Sequence, residues 1–142
     1  MGPYWDSRAT PSNPMCVVVQ SPRTYRTFST GAEIDESAID LLCRQYSTGA
    51  TSKAMAATVT SCTGIACRLP GSIPARYLGA QASSRELIRI GHPSGIINVE
   101  SAVESDGKAG AEGHRVRTAT IARTARRIAE GSAYLKGTKV TP

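Results

Sequence analysis

Residues 52–67, with the sequence SKAMAATVTSCTGIAC, decide the fold of this chain. Their side chains are small or apolar on nearly every side of a helix, and the one charged residue is Lys53. A helix without a polar face is enclosed by the rest of its domain. Thr51 or Ser52 supplies the N-cap, and Leu-Pro-Gly at 69–71 supplies the stop. The sequence therefore predicts a central helix, with small side chains that let a sheet approach closely.

The segments around this helix are predicted mainly as strands. Residues 35–47 have the apolar spacing of a further helix, with Asp35 as N-cap. β-Branched or alternating residues predict strands at 16–20, 72–78, 86–90, 96–103 and 115–121. A flexible hairpin loop at 106–113, a short helix at 122–130 and a strand at 133–135 complete the prediction. Antiparallel strands with a central helix indicate an α+β domain.

The composition is unusual for a domain that folds alone. Of the 142 residues, 25 are Leu, Ile, Val or Phe, whereas 19 are Ala, and the formal net charge is +6. So few large apolar residues, together with this charge, place the chain near the border with disorder. The proline-containing residues 1–15 are expected to form a disordered or foreign tail, and residues 16–142 the domain.

Several classes of protein are excluded by the sequence. The longest run of large apolar residues is Val17-Val18-Val19, far short of the roughly 20 residues of a membrane helix, and no signal pattern opens the chain. The four cysteines form no C-x-x-C pair, so no metal is expected. Reduced, packed thiols are expected for them, with Cys62 and Cys67 as inert packing. A soluble, cytoplasmic protein is the prediction.

The strongest local motif is the turn Gly91-His92-Pro93-Ser94-Gly95 between two predicted strands. The proline fixes one φ, the glycines permit unusual dihedrals, and the amides around Ser94 and Gly95 can converge on one point. Such a nest of N–H groups binds a carboxylate or phosphate. The alternative is an ordinary hairpin loop that contains a histidine.

A second candidate site lies where the central helix is predicted to begin. A buried helix N-terminus presents free amides and partial positive charge, so hydroxyls and a lysine there suit an anion. The alternative is a well-capped helix without a ligand. The candidate residues are Ser47, Gly49, Thr51, Ser52 and Lys53.

An arginine-rich stretch near the end of the chain is the third feature. Nucleic-acid binding would require exposed aromatic residues or a recognised module, and neither is present. A solvated face, or one that contacts a partner domain, is therefore favoured. The residues are Arg117, Arg123, Arg126 and Arg127.

Five motifs in order resemble the C-terminal half of the PrpF-type isomerases, over about residues 17–135. They are residues 39–45, a Ser-x-Gly turn into an Ala-rich helix, Leu-Pro-Gly at 69–71, residues 89–95, and residues 124–127 with Gly131. That family includes 2-methylaconitate cis-trans isomerase, aconitate Δ-isomerase, methylitaconate isomerase and 4-oxalomesaconate tautomerase.

The resemblance implies a diaminopimelate-epimerase-like lobe, with a mostly antiparallel sheet wrapped around a central helix. It also implies a cofactor-independent isomerase that shifts or reorients a double bond by proton transfer, in small unsaturated di- or tricarboxylates such as aconitate or 2-methylaconitate. The two turns would then bind substrate. The family's acid–base Lys and Cys lie in its N-terminal half, which has no counterpart here, so no catalytic residue is assigned. Ser52 stands where the family commonly has His.

The chain is accordingly expected to be one lobe of such an isomerase. Its expected partners are a polycarboxylate substrate and a missing N-terminal lobe or another copy of the chain, with no nucleic acid, membrane or cofactor. The alternative is a catalytically inactive truncated fragment or an interaction subunit.

Overall fold

Eight strands and two α-helices form the part of the chain described by the computed structural model, residues 15–47, 49–107, 113–123, 125 and 127–132. The strands are β1 (Cys16–Gln20), β2 (Tyr25–Arg26), β3 (Glu33–Ile34), β4 (Leu41–Ser47), β5 (Ala50–Thr51), β6 (Leu87–His92), β7 (Gly95–Ser105) and β8 (His114–Ile121). The helices are α1 (Ala57–Ala66) and α2 (Ile73–Tyr77), and Glu36–Ala38 forms a turn of 3₁₀ helix.

The main sheet has the order β1-β4-β6-β7-β8, with the short β5 paired to β4. All its pairs are antiparallel except β4 with β6, which run parallel. Parallel neighbours require a long crossover connection, usually helical, and here that connection carries both α-helices. The strands predicted at 16–20, 86–90, 96–103 and 115–121 are confirmed as β1, β6, β7 and β8, with shifted ends for the last three.

The helix predicted over residues 35–47 is wrong, because most of that stretch is the central strand β4. Leu41, Leu42 and Cys43 are all buried, and β4 is paired on both sides, by β1 and β6. A strand buried on both faces has a continuous apolar run, which periodicity alone does not separate from a helix. Asp35 does cap a helix, since its side chain accepts from the Ser37 N–H at 2.9 Å, but that helix is the single 3₁₀ turn.

The strand predicted at residues 72–78 is also wrong, because this segment is α2. The hydroxyl of Ser72 accepts from the Ala75 N–H at 3.2 Å, and Pro74 lies in the first turn. A serine cap followed by proline in the first turn is a helix-start pattern. The β-branched Ile73 and the aromatic Tyr77 favour a strand only in the absence of that pattern.

Helix α1 confirms the predicted central element, but it begins later and is less enclosed than expected. Its first helical residue is Ala57, and the Ala56 N–H is bound by the side chain of Gln45 at 2.7 Å. One face is buried, whereas Thr58 and Cys62 on another face are exposed. The expected close approach of the sheet occurs at Gly64, where an added Cβ would lie 2.7 Å from a methyl of Val99.

The core lies between α1 and the sheet. Its buried members are Leu41, Cys43, Met55, Val59, Cys67, Ile88, Ile90 and Val99. Beside it, an open apolar groove of about 550 Å³ separates β1 from the two helices, lined by Met15, Val17, Val19, Thr58, Val59, Cys62, Thr63, Ala66, Ile73 and Pro74.

The end of the described chain differs from the prediction. The described residues among 122–130 form no helix, and the Ala122 N–H instead donates to the Asn98 carbonyl at 3.3 Å. The predicted strand at 133–135, most of the loop at 106–113, and the predicted tail apart from Met15 lie outside the described residues. Within the described residues, no helix is long and apolar enough to cross a membrane.

Candidate functional site

The turn between β6 and β7 is built by two glycines that serve different purposes. Gly95 has a φ of 138°, which side chains other than glycine rarely adopt. Gly91 is needed for space, because an added Cβ would lie 3.0 Å from Ile39 and 3.1 Å from both Leu42 and Tyr25. The sequence pattern therefore specifies both the shape of the turn and its close contact with neighbouring segments.

Ser94 joins this turn to the loop before α1, so that the structure brings the two sequence-predicted segments together. Its hydroxyl donates to the Lys53 carbonyl oxygen at 2.5 Å. Its N–H donates to Nδ1 of His92 at 3.2 Å. The Ser94 amide, expected to be free for an anion, is thus already engaged.

The described residues of 47–53 belong to strands and a loop rather than to the first turn of α1. Gly49, with a φ of 80°, lies between β4 and β5. The hydroxyls of Ser47 and Ser52 lie 3.4 Å apart, and the Ser52 N–H donates to the Gln45 carbonyl at 2.8 Å. Thr51 is exposed within β5. Two of the predicted hydroxyls, those of Ser47 and Ser52, therefore lie together, but neither caps the helix.

A third segment, the hairpin formed by β2 and β3, meets the same turn and was missed by the sequence reasoning. The Tyr25 hydroxyl donates to the Gly95 carbonyl at 2.5 Å, and the Phe28 N–H donates to the Pro93 carbonyl at 2.6 Å. The available signal was a repeat, because FSTGA at 28–32 resembles YSTGA at 46–50. Gly31 and Gly49 share a positive φ, of 69° and 80°.

Two cations lie against aromatic rings at this place. The Arg44 guanidinium is 5.2 Å from the centroid of the Tyr25 ring, and the Lys53 ammonium is 4.7 Å from the centroid of the Phe28 ring. Among the described residues neither cation forms an ion pair with a carboxylate. The site is therefore positively charged, which favours an anionic ligand.

His92 is neutral at neutral pH. Burial lowers the pKa of its imidazole, and the positive charge of Arg44 lowers it further. Because Nδ1 accepts the Ser94 N–H, the single proton of the neutral ring belongs on Nε2. Nε2–H can then donate a hydrogen bond to an oxygen of a ligand.

The cysteines fall into two classes. Burial raises the pKa of Cys43 to about 12, with a further contribution from neighbouring Cys67, and burial raises the pKa of Cys67 to about 11. These thiols remain protonated and unreactive at neutral pH. Cys16 and Cys62 are exposed, so the expectation of packed thiols is wrong for both.

Two arginines of the arginine-rich stretch pair with acids. Arg117 contacts Glu104 at 2.7 Å, and Arg127 contacts Glu130 at 2.9 Å. Both pairs are exposed, as expected of a solvated face. Arg126 lies outside the described residues.

Comparison with known proteins agrees with this architecture. Residues 4–136 match the sequence model of the family described as PrpF protein. The chain belongs to the PrpF family. Among PrpF relatives, the 3-methylitaconate isomerase of Eubacterium barkeri is 40% identical over 134 residues, 94% of this chain and 33% of that protein. The 2-methyl-aconitate isomerase of Shewanella oneidensis is 33% identical over 119 residues, 83% of this chain and 28% of that protein.

A solved structure supports the fold. The crystal structure of a methylitaconate-delta-isomerase is 38% identical, with a TM-score of 0.66, over 82% of this chain and 30% of that one. The predicted α+β lobe of the diaminopimelate-epimerase-like type is thereby confirmed. The chain spans about a third of the length of these PrpF relatives.

Proposed function

We propose that this chain supplies a carboxylate-binding lobe of a PrpF-type isomerase that acts on small unsaturated di- or tricarboxylates, such as aconitate, 2-methylaconitate or methylitaconate. The observation that carries the proposal is the meeting of three segments at one place: the turn at residues 92–95, the loop before α1 and the β2–β3 hairpin. They are joined there by hydrogen bonds from Tyr25, Phe28 and Ser94.

The chemistry of this place suits a carboxylate. Lys53 and Arg44 supply positive charge, Ser47 and Ser52 supply hydroxyl groups, and His92 supplies a neutral N–H donor. We assign substrate binding to these residues together with Gly49, Thr51, Gly91, Pro93, Ser94 and Gly95, whose backbone shapes the turns. Donors fixed before the ligand arrives stabilise negative charge without reorganisation.

The proposed reaction is a proton transfer that needs no cofactor. A base removes a proton from the carbon next to the double bond, the electron pair delocalises towards the carboxylate, and an acid returns a proton to the other end of the allylic system. Fixed donors lower the barrier by stabilising the enediolate-like charge. Following the family resemblance, we place the acid and the base in the N-terminal half of the family protein, opposite this lobe.

The proposed compartment is the cytoplasm. Cys43 and Cys67 are free thiols, although they are close enough for one to raise the pKa of the other. Unpaired neighbouring thiols are typical of a reducing compartment.

A second candidate is a lobe that binds carboxylates without turnover. It is favoured by the buried thiols, whose pKa values are raised to about 12 and 11, so that neither is an acid–base group poised for neutral pH.

One experiment separates the two candidates. The chain, supplemented with the separately expressed N-terminal half of a PrpF relative, is incubated with cis-aconitate, 2-methylaconitate or 3-methylitaconate in deuterium oxide, and proton NMR follows both the position of the double bond and deuterium uptake at the allylic carbon. Isomerisation with deuterium uptake, reduced in Ser94→Ala, supports the isomerase. Binding without either change supports the second candidate. Absence of both binding and turnover contradicts the proposed function.

A further inference from the structure

Phe28 stands at the tip of the β2–β3 hairpin, and its position is not explained by packing. Its side chain is 67% exposed, more than any other aromatic side chain among the described residues. At this place the ring buries little area against the core.

The Phe28 ring and the Lys53 ammonium are held together from two sides. The centroid of the ring lies 4.7 Å from Nζ of Lys53. The backbone of Phe28 is tied to the turn through Pro93, at 2.6 Å, and the backbone of Lys53 is tied to the same turn through Ser94, at 2.5 Å. Ring and ammonium therefore keep a fixed relation to the turn and to each other.

This arrangement limits the freedom of the lysine. A lysine side chain has four rotatable bonds and places its charge poorly when it is exposed. A cation over an aromatic face is held electrostatically while its remaining N–H donors stay available. Since Lys53 pairs with no acid among the described residues, its charge is open to a ligand.

We propose that Phe28 is a positioning residue that gives this site its preference for acids with more than one carboxylate. One carboxylate is held at the 92–95 turn, and the Lys53 ammonium, placed by the Phe28 ring, binds a second carboxylate at the rim. A monocarboxylate makes only the first contact. This inference rests on the proposed function, because it concerns the same site.

The test compares fumarate with crotonate, in which one carboxylate of fumarate is replaced by a methyl group. Dissociation constants are measured for the full chain by NMR titration of its backbone amides. Lys53→Met is expected to weaken fumarate binding about fivefold, the size for an exposed ion pair. Phe28→Leu is expected to weaken fumarate binding about threefold, because the cation–π contact that places the Lys53 ammonium is lost. Crotonate binding should weaken less than fumarate binding in both variants.

The double variant Phe28→Leu/Lys53→Met distinguishes positioning from an independent effect. If Phe28 acts through Lys53, the double variant binds fumarate no more weakly than Lys53→Met alone. Matched controls on α2 are Tyr77→Leu and Arg76→Met, which remove an exposed aromatic ring and an exposed charge and should leave both dissociation constants unchanged. The amide spectrum of each variant reports whether it remains folded.

The outcomes separate this inference from the proposed function. Equal weakening of fumarate and crotonate in Phe28→Leu, an unchanged fumarate affinity, or additive losses in the double variant would overturn the role of Phe28 while leaving the carboxylate site standing. If neither acid binds saturably at the 92–95 turn of the unaltered chain, the proposed function fails, and the role of Phe28 fails with it.

Discussion

The two ends of strand β6 carry charge in opposite ways. Near its start, Arg89 donates two side-chain hydrogen bonds and its backbone N–H to Asp40, at 2.8 to 3.0 Å, and Arg85 lies 3.5 Å from the same carboxylate. At its end, His92 leads into a turn beside Arg44 and Lys53, which have no acidic partner among the described residues.

The difference separates structural charge from charge that can bind a ligand. Burial raises the pKa of the Asp40 carboxyl, but the hydrogen bonds and charges of Arg89 and the charge of Arg85 outweigh it, so that the net pKa lies below the usual value of 3.8. The charges of this carboxylate and its arginines are neutralised by one another and do not attract a ligand. The cations near His92 are compensated only by aromatic rings, and they remain available.

The largest effect is expected near the start of β6, where Asp40 pairs with Arg89. The Asp40 side chain is 5% exposed and that of Arg89 29%, so Asp40→Ala leaves a partly exposed guanidinium and the Arg89 backbone N–H without their buried acceptor. The free energy of unfolding should fall by about 3 kcal/mol, as measured by urea unfolding. The matched control Glu33→Gln breaks the exposed Arg26–Glu33 pair and should cost less than about 0.5 kcal/mol. Equal costs for the two variants would contradict the distinction between them.

The next largest effect is expected where helix α1 packs against strand β7. A Cβ at Gly64 would lie 2.7 Å from a Val99 methyl. Overpacking costs about 1–3 kcal/mol, and the gain in helix propensity returns about 1 kcal/mol, so Gly64→Ala should destabilise by up to about 2 kcal/mol in urea unfolding. Gly131→Ala is the control, because nothing lies within 4 Å of its Cβ position. A stabilised Gly64→Ala protein would show that α1 and β7 are not in close contact.

A smaller effect is expected at the end of β6, where the strand leads into the turn at residues 92–95. Tyr25→Phe removes the hydrogen bond to the Gly95 carbonyl but keeps the ring beside Arg44. The expected cost is about 1 kcal/mol of stability, and fumarate binding should weaken because the turn is held less firmly. Tyr77→Phe, on α2, serves as the control for the loss of a hydroxyl. Unchanged fumarate binding in Tyr25→Phe would separate the β2–β3 hairpin from the site.

The smallest effect is a pH dependence at the same end. Burial and Arg44 lower the pKa of His92 below 6.5, so below that pH the unfolded state binds the proton more readily than the folded state. Stability should therefore fall as the pH is lowered from 7.5 to 5.5, and His92→Gln should reduce this slope. Asp40, whose pKa lies below 3.8, contributes only at lower pH. A slope that His92→Gln leaves unchanged would contradict a buried neutral imidazole.

Features set by local sequence could be predicted, whereas features set by contacts between distant residues could not. The Gly91–Gly95 turn and the small-residue helix were found because local chemistry specifies them. Strand β4 was mistaken for a helix because Leu41, Leu42 and Cys43 are buried by partners on both sides, and no local pattern shows this pairing. Tyr25 was missed because it meets Gly95 across 70 residues of chain, a contact that arises only in the folded sheet.

The most direct test is a map of where a carboxylate binds. The nitrogen-15-labelled chain is titrated with cis-aconitate, and the amide shifts are followed at 27–31, at the described residues of 47–53, at the non-proline residues of 92–95, and around Asp40 and Arg89. Saturable shifts concentrated in the first three segments, with the Asp40 region unchanged, are the expected result. Shifts centred on the Asp40 region, or no saturable shift at the 92–95 turn, would contradict the assignment of this end of β6 as the binding site.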